Sequence, residues 1–337
     1  MTALVGYSLN GIYIMKEREK KRIVIAGGSG FLGMHLAETL VRRGYDVVVL
    51  TRNPDRYAGR GRALLWDGRT VADHWARELE GAHAVVNLTG KRVNCRMTKA
   101  NRARIKRSRV DSVCVLGDAL RKVYHVPKVW VQGSSLAIYG DAGNRVCDEA
   151  AFIPNEYPTD VCLAWEEALG SAIRPEMRWS VLRIGFVLGS DGGALPALAN
   201  LARIGFGGAI GRGSQWISWI HIKDMMRLFV EAIENPAVHG IYNATGLQPV
   251  PNHEFMETLR YTLGLPVGLP TPTWMIKAAA PVIGADPDLA LNGRRGLPVR
   301  INGLGFTFRF HELADALEDL LMPTVAARPK LRKELTA

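Results

Sequence analysis

A doubly wound parallel α/β sheet with a smaller, mostly helical C-terminal region is the fold class this sequence predicts, on three observations. A short apolar run, Ile23 to Ala26, leads directly into the glycine cluster Gly27-Gly28-Ser29-Gly30-Phe31-Leu32-Gly33 and then into apolar residues at helical spacing. Further apolar runs alternate with helical segments as far as residue 188. After Gly189 the chain turns glycine-rich and aromatic and the alternation stops.

Strand, glycine loop and helix in that order are the context in which G-x-G-x-x-G marks a dinucleotide site, the Rossmann arrangement. Gly28 is expected to make the tight turn, Gly30 to let the backbone approach a pyrophosphate, and Gly33 to let helix and strand pack closely. The phosphates would lie on the free N–H groups and positive end of the helix. The alternative is an empty glycine turn.

The second strand, Asp46 to Leu50, begins about 20 residues after the loop and ends in Thr51-Arg52. A free ribose 2′-hydroxyl is usually met by a carboxylate there. A carboxylate would repel a 2′-phosphate, whereas a guanidinium grips one with paired, charge-assisted hydrogen bonds. Arg52 therefore favours NADP over NAD, the alternative being a solvent-facing arginine in the turn with Asn53-Pro54. The third strand is Ala63 to Asp67 and the fourth Ala84 to Gly90, whose carboxyl end, at Leu88-Thr89-Gly90, is expected beside the cofactor. A helix is expected over 98–122. The fifth strand, Val129 to Gly133, runs into Ser134-Ser135; a helix carrying Trp165-Glu166-Glu167 and a sixth strand, Trp179 to Ile184, follow.

These boundaries give an N-terminal extension (1–20), a nucleotide-binding domain (21–188) to which later segments can return, a substrate region (189–322) and a tail (323–337). Met15 fits a natural start, or residues 1–14 a loose extension. Residues 189–215 read as mobile loops around a short helix, suited to a substrate lid. Helices are expected over 252–264 and 311–321, with Pro266, Pro270 and Pro272 marking a linker.

Composition narrows the function classes. No apolar run approaches the roughly 20 residues that span a bilayer. Cys95, Cys114, Cys147 and Cys162 form neither a C-x-x-C pair nor a metal spacing, so a reduced, cytoplasmic protein without a metal is expected. The formal net charge is +11, and much of the excess lies between Lys91 and Arg109. That run has no aromatic residue for base stacking. It reads as a solvated helix face rather than a nucleic-acid site, with one or two arginines available for a cofactor phosphate.

Three of these motifs together, Gly27 to Gly33, Asn87-Leu-Thr-Gly90 and Ser134-Ser-Leu-Ala-Ile-Tyr139-Gly140, resemble the extended, epimerase-like branch of the short-chain dehydrogenase/reductase superfamily. A narrower likeness, to the "epimerase family" proteins with a small C-terminal domain, rests on Leu182 to Gly189, Asp191 to Leu195, Gly207 to Gly213, Trp219 to Asp224 and Gly303 to Phe310. It covers roughly residues 22–322. The resemblance implies cofactor contacts from Gly27, Gly28, Ser29, Gly30, Phe31, Leu32 and Gly33, from Thr51 and Arg52, from Leu88 and Thr89, from Arg104 and Arg109, and from Val187 beside the nicotinamide. It implies a small hydroxyl- or carbonyl-bearing substrate, such as a nucleotide sugar, and a homodimer.

The superfamily's catalytic set is a serine, a tyrosine and a lysine four residues after the tyrosine. Ser135 and Tyr157 match the first two, but Val161 stands at the lysine position. Without the lysine, a tyrosine of pKa near 10 stays protonated at neutral pH. Ser135 can also simply bond backbone at a strand end, and Tyr157 can be a loop aromatic. His221 and Trp219 read either as substrate-pocket residues, His221 as a base, or as packed core. A non-catalytic NADP-binding redox sensor is the competing reading.

Overall fold

Parallel strands covered by helices on both faces must be apolar on both faces, and the strands flanking the glycine loop meet that requirement. The computed structural model describes residues 6–9, 12–15, 20–283 and 286–322. The expected tail, 323–337, and most of the 1–20 extension lie outside the described residues; within the extension, Gly6–Leu9 and Ile12–Met15 pair antiparallel.

The first half runs β1 (Arg22–Ala26), α1 (Phe31–Arg42), β2 (Asp46–Thr51), β3 (Arg62–Leu65), β4 (Ala84–Asn87), α2 (Lys99–Leu120), β5 (Val129–Ser135), α3 (Thr159–Ala172) and β6 (Arg178–Ile184). The second half adds β7 (Phe186–Leu188), α4 (Leu195–Arg203), β8 (Trp219–His221), α5 (Ile222–Glu234), β9 (Gly240–Ala244), α6 (Asn252–Thr262), α7 (Thr273–Ile283) and α8 (Leu313–Leu321). Seven strands form one sheet in the order β9-β6-β5-β4-β1-β2-β3, every neighbouring pair parallel. This is the doubly wound Rossmann sheet.

Alternate residues of each strand feed opposite cores. Ile23 and Ile25 of β1 pack with Leu36 and Leu40 of α1 and Phe229 of α5. Val24 and Ala26 pack with Leu116 of α2, Trp130 of β5 and Trp165 of α3 on the other face. The seventh strand has no counterpart in the sequence reading, which stops at six. It is short, and Asn243 interrupts its apolar pattern; that side chain is buried and fully bonded, accepting from the Tyr139 hydroxyl and donating to the carbonyls of Cys147 and Leu297.

The region after β6 has its own core, in which Leu188, Leu195, Trp219, Phe255 and Leu317 meet. It is tied back to the first half by Arg295-Gly296, which pairs in parallel with Val146-Cys147 of the loop after β5 as a separate two-stranded sheet. Among the described residues no helix is long and apolar enough to cross a membrane.

Candidate functional site at the carboxyl edge of the sheet

Strand order reverses between β1 and β4, and in open α/β sheets the crevice at such a reversal is where ligands bind. The glycine loop opens onto it. Gly27 takes a left-handed φ of +75°, and a Cβ there would fall 2.9 Å from the Thr89 nitrogen. The tight turn therefore belongs to Gly27, not to Gly28 as the motif reading has it. Gly28 is needed for a different reason, since its Cβ would fall 2.9 Å from Cγ1 of Val49 on β2. A Cβ on Gly33 would overlap the backbone of Gly28, which fixes α1 against the loop. At Gly30 the nearest atom would be the Gly27 carbonyl at 3.5 Å, so the side facing the crevice is open. Gly30 caps α1 without a side-chain acceptor and the first turn holds no acidic residue. The N–H groups of Phe31, Leu32 and Gly33 have no intrahelical partner. The arrangement is an anion cradle.

At the end of β2 the buried Thr51 donates its hydroxyl to Ser29 Oγ at 2.8 Å and so braces the loop. Arg52, the next residue, is exposed. Leu88 and Thr89 follow β4, where Asn87 holds the turn. Its Oδ1 accepts the Thr89 N–H at 3.0 Å and its Nδ2 donates to Ser112 and Gln132. The Thr89 Oγ1 is buried without a partner.

Arg109 of α2 lies against the following residue, Gly90, where a Cβ would fall 3.1 Å from the Arg109 Cζ. Its Nη1 donates to the carbonyls of Lys91 and Ile105, and its guanidinium lies over the Trp165 ring, 5.0 Å from the centroid. Burial depresses its pKa, and no carboxylate among the described residues is within salt-bridge distance. A desolvated cation against Gly90 and an unsatisfied hydroxyl on Thr89, both at the end of β4, fit a ligand with an anionic or polar group. Arg104, five residues earlier on α2, is exposed and its side chain makes no hydrogen bond among the described residues; it shares no face with Arg109.

Ser135 and Tyr157 are not joined by a hydrogen bond. Ser135 Oγ accepts the Ala137 N–H at 3.1 Å, which leaves its proton free to donate. The Tyr157 hydroxyl contacts Met97 Sδ at 3.2 Å, and Arg102 lies over its ring at 4.4 Å. Burial raises the Tyr157 pKa, with Arg102 and Arg109 pulling the other way. Val161, at the lysine position, is buried. Tyr139 is also withdrawn from chemistry. Its hydroxyl sits in a network where Arg183 pairs with both oxygens of Glu166 (3.0 and 2.8 Å) and donates to Tyr139, while Ser134 donates to Glu166.

The substrate-pocket reading of His221 and Trp219 is corrected. His221 is 0% and Trp219 1% exposed, and Trp219 lies in the second core. His221 Nδ1 caps α5 by accepting the Lys223 N–H at 3.0 Å. The proton is thereby placed on Nε2, which lies 3.2 Å from Asp319 Oδ2 but off the direction of a good hydrogen bond. Its ring stacks on Phe310 at 3.8 Å. Burial drives its pKa to about 4, against the opposing pull of Asp319. A base for a neutral-pH reaction needs neither that burial nor that value.

Val187 on β7 pairs with Ile220 of β8. The glycines after it do not form a free loop: a Cβ on Gly189 would come within 2.5 Å of the Phe31 ring, and one on Gly192 would overlap it. His35 Nε2 meets Asp191 Oδ1 at 3.0 Å. Sequence reasoning missed this contact, because the partners lie 156 residues apart with no spacing to signal them. Asp224 is a second such case. Buried on α5, it accepts the N–H groups of Arg309 and Phe310 at 2.9 to 3.0 Å and pins the C-terminal segment.

The chain was compared with known proteins. Residues 23–245 match the model of the NAD dependent epimerase/dehydratase family, and residues 271–320 match a domain of unknown function, DUF1731. An Arabidopsis thaliana protein, the chloroplastic homolog of epimerase family protein SDR39U1, is 31% identical over 312 residues, which cover 91% of this chain and 88% of that protein. The crystal structure of human epimerase family protein SDR39U1 (isoform 2) with NADPH superposes with a TM-score of 0.79 at 30% identity, over 89% of this chain and 98% of that one. The nucleoside-diphosphate sugar epimerase of Corynebacterium glutamicum superposes with a TM-score of 0.72 at 26% identity, over 90% of this chain and 58% of that one. With its Rossmann sheet, glycine-loop cradle and C-terminal DUF1731 region, and with valine where the superfamily keeps its catalytic lysine, this chain belongs to the NAD-dependent epimerase/dehydratase family as an atypical, SDR39U1-type epimerase-family member.

Proposed function

We propose that the protein binds NADP(H) and acts, as an epimerase- or oxidoreductase-like enzyme, on a small hydroxyl- or carbonyl-bearing molecule. The observation that carries the cofactor is the uncapped, acid-free start of α1 beside a second strand that ends in Arg52 rather than in a carboxylate. The NADPH held by the human relative supports the same reading.

Bound there, the nicotinamide would supply a hydride acceptor or donor. The chain's own residues bind and orient. The cradle's N–H groups would take the pyrophosphate and Arg52 the 2′-phosphate. Thr89 and Arg109 would meet polar groups further along the crevice. Ser135, with its proton free, would polarise a substrate oxygen. Tyr157 stays protonated at neutral pH, so its role is that of a proton donor, in reach of substrate once its hydroxyl leaves Met97.

That last contact, with Val161 in place of the lysine, favours one competing reading: a non-catalytic protein whose occupancy reports the NADP(H) pool. Titration with NADPH and NADH, followed by cofactor fluorescence, tests the cofactor. Arg52→Ala is expected to weaken NADPH about 10- to 100-fold, as for loss of hydrogen bonds to a charged group, and to leave NADH unchanged. Equal loss for both would refute the phosphate assignment. Turnover of NADPH with any carbonyl, reduced in Tyr157→Phe, would exclude the sensor.

A further inference from the structure

The segment 189–193 leaves the two-stranded β7–β8 pair directly after β7 and arrives on α1, at the turn whose free N–H groups form the anion cradle. Two separate contacts hold it there. Phe31, the first residue of α1, sits with its ring in a notch that exists because Gly189 and Gly192 lack side chains. Gly193 completes the notch with a left-handed φ of +73°. One helical turn later His35 stands edge-on to the Phe31 ring, with centroids 5.3 Å apart, and reaches Asp191 at 3.0 Å. Apart from these two contacts the segment presents small residues, Ser190 and three glycines, with nothing to bury. The Asp191 side chain is 64% exposed and that of His35 27%, so the pair parts at little cost. The segment is thus seated firmly in geometry and weakly in energy, as a part that must open and reclose.

We propose that residues 189–193 form a strap over the cofactor site, latched on α1 by Phe31 in the glycine notch and by His35–Asp191, and that nucleotide enters and leaves by release of this latch. The proposal rests on the nucleotide-binding reading above and adds to it the element that controls exchange. The notch explains the glycine run in terms of Phe31, whereas the lid expected from the sequence was assigned to substrate.

The test is stopped-flow measurement of NADPH association and of its displacement by excess NADP+, on wild type, Asp191→Ala and Gly192→Ala, with Gly303→Ala as a control whose added methyl meets nothing within 4 Å. Loosening a strap raises association and dissociation rates together and leaves the equilibrium constant nearly unchanged. Asp191→Ala is expected to raise both rates about two- to fivefold, the worth of one exposed polar contact. Gly192→Ala, which unseats Phe31, is expected to raise both about tenfold or more, and the control to change neither. Faster dissociation alone would make the segment an ordinary contact and overturn the strap, as would unchanged rates in both variants; either result leaves the nucleotide reading standing. If wild type binds neither NADPH nor NADH, that reading itself fails and the strap fails with it.

Discussion

Acid is expected to loosen the C-terminal half through one side chain, His221. In the folded protein its pKa is about 4, against 6.5 for an ordinary histidine, because the ring is buried among α5, α8 and Phe310. The charged or titratable groups facing it are Asp319, Lys223 and Asp224. The folded state resists the proton that the unfolded chain accepts. Stability from the neutral ring is therefore complete above pH 6.5 and is lost as pH falls through 6.5 towards 4. Integrated to pH 4.5, the loss is about 2–3 kcal/mol. In a chain of 337 residues that corresponds to roughly 3–4 °C in melting temperature. The assay is thermal unfolding between pH 8 and 4.5 of wild type and of His221→Asn, which keeps an acceptor for the Lys223 N–H but cannot titrate. The wild-type melting temperature should drop about 3–4 °C more than that of the variant over this interval, while carboxylate effects common to both cancel. Parallel curves would refute the reasoning and mean that His221 is charged, or equally accessible, in the folded state.

Other outcomes follow from the same geometry. Gly33→Ala puts a methyl on the backbone of Gly28, where nothing can yield; a loss of about 1–3 kcal/mol in denaturant unfolding is expected, with loss of NADPH binding. Glu166→Ala strands the buried Arg183 guanidinium and should cost about 3–5 kcal/mol, again by denaturant unfolding. Arg109→Ala should weaken NADPH about tenfold or more in a fluorescence titration, whereas Arg104→Ala, changing an exposed and unbonded residue, should stay within about twofold.

What the sequence makes legible is what short segments determine. Ile23 to Gly33 specifies strand, turn and helix within one local stretch, and the missing acid after β2 is a single position on a strand already placed. Even there, the division of labour between Gly27 and Gly28 depended on Thr89, in the turn after β4, and on Val49 of β2. Whether His221 and Trp219 face a pocket or a core stayed open for the same reason. An imidazole among tryptophans carries no local sign of whether it faces a pocket or a core, and Phe310 and Asp319, which decide the matter for His221, lie some 90 residues further on. Asn243 hid a strand because its polar side chain breaks the apolar pattern, and only Tyr139, Cys147 and Leu297 make its burial tolerable. In each case the missing information was a partner distant in the chain, not a weaker local preference.

The place of β9 in the sheet has a consequence for how the protein comes into being on the ribosome. Its edge position beside β6 is filled by residues 240–244, which emerge only after the whole excursion through β7, α4, β8 and α5 has been made. Until then β6 offers an unpaired edge, and α5, which covers one face of the sheet, is missing with it. A nascent chain halted near residue 188 would thus carry the glycine loop, Arg52 and Arg109 on a sheet that is open at one side and bare over part of one face. Exposed edges and apolar faces of that kind invite aggregation. Competence to hold nucleotide and completion of the second half are therefore acquired together, late in synthesis, and a fragment ending at the apparent boundary after Leu188 should be poorly soluble.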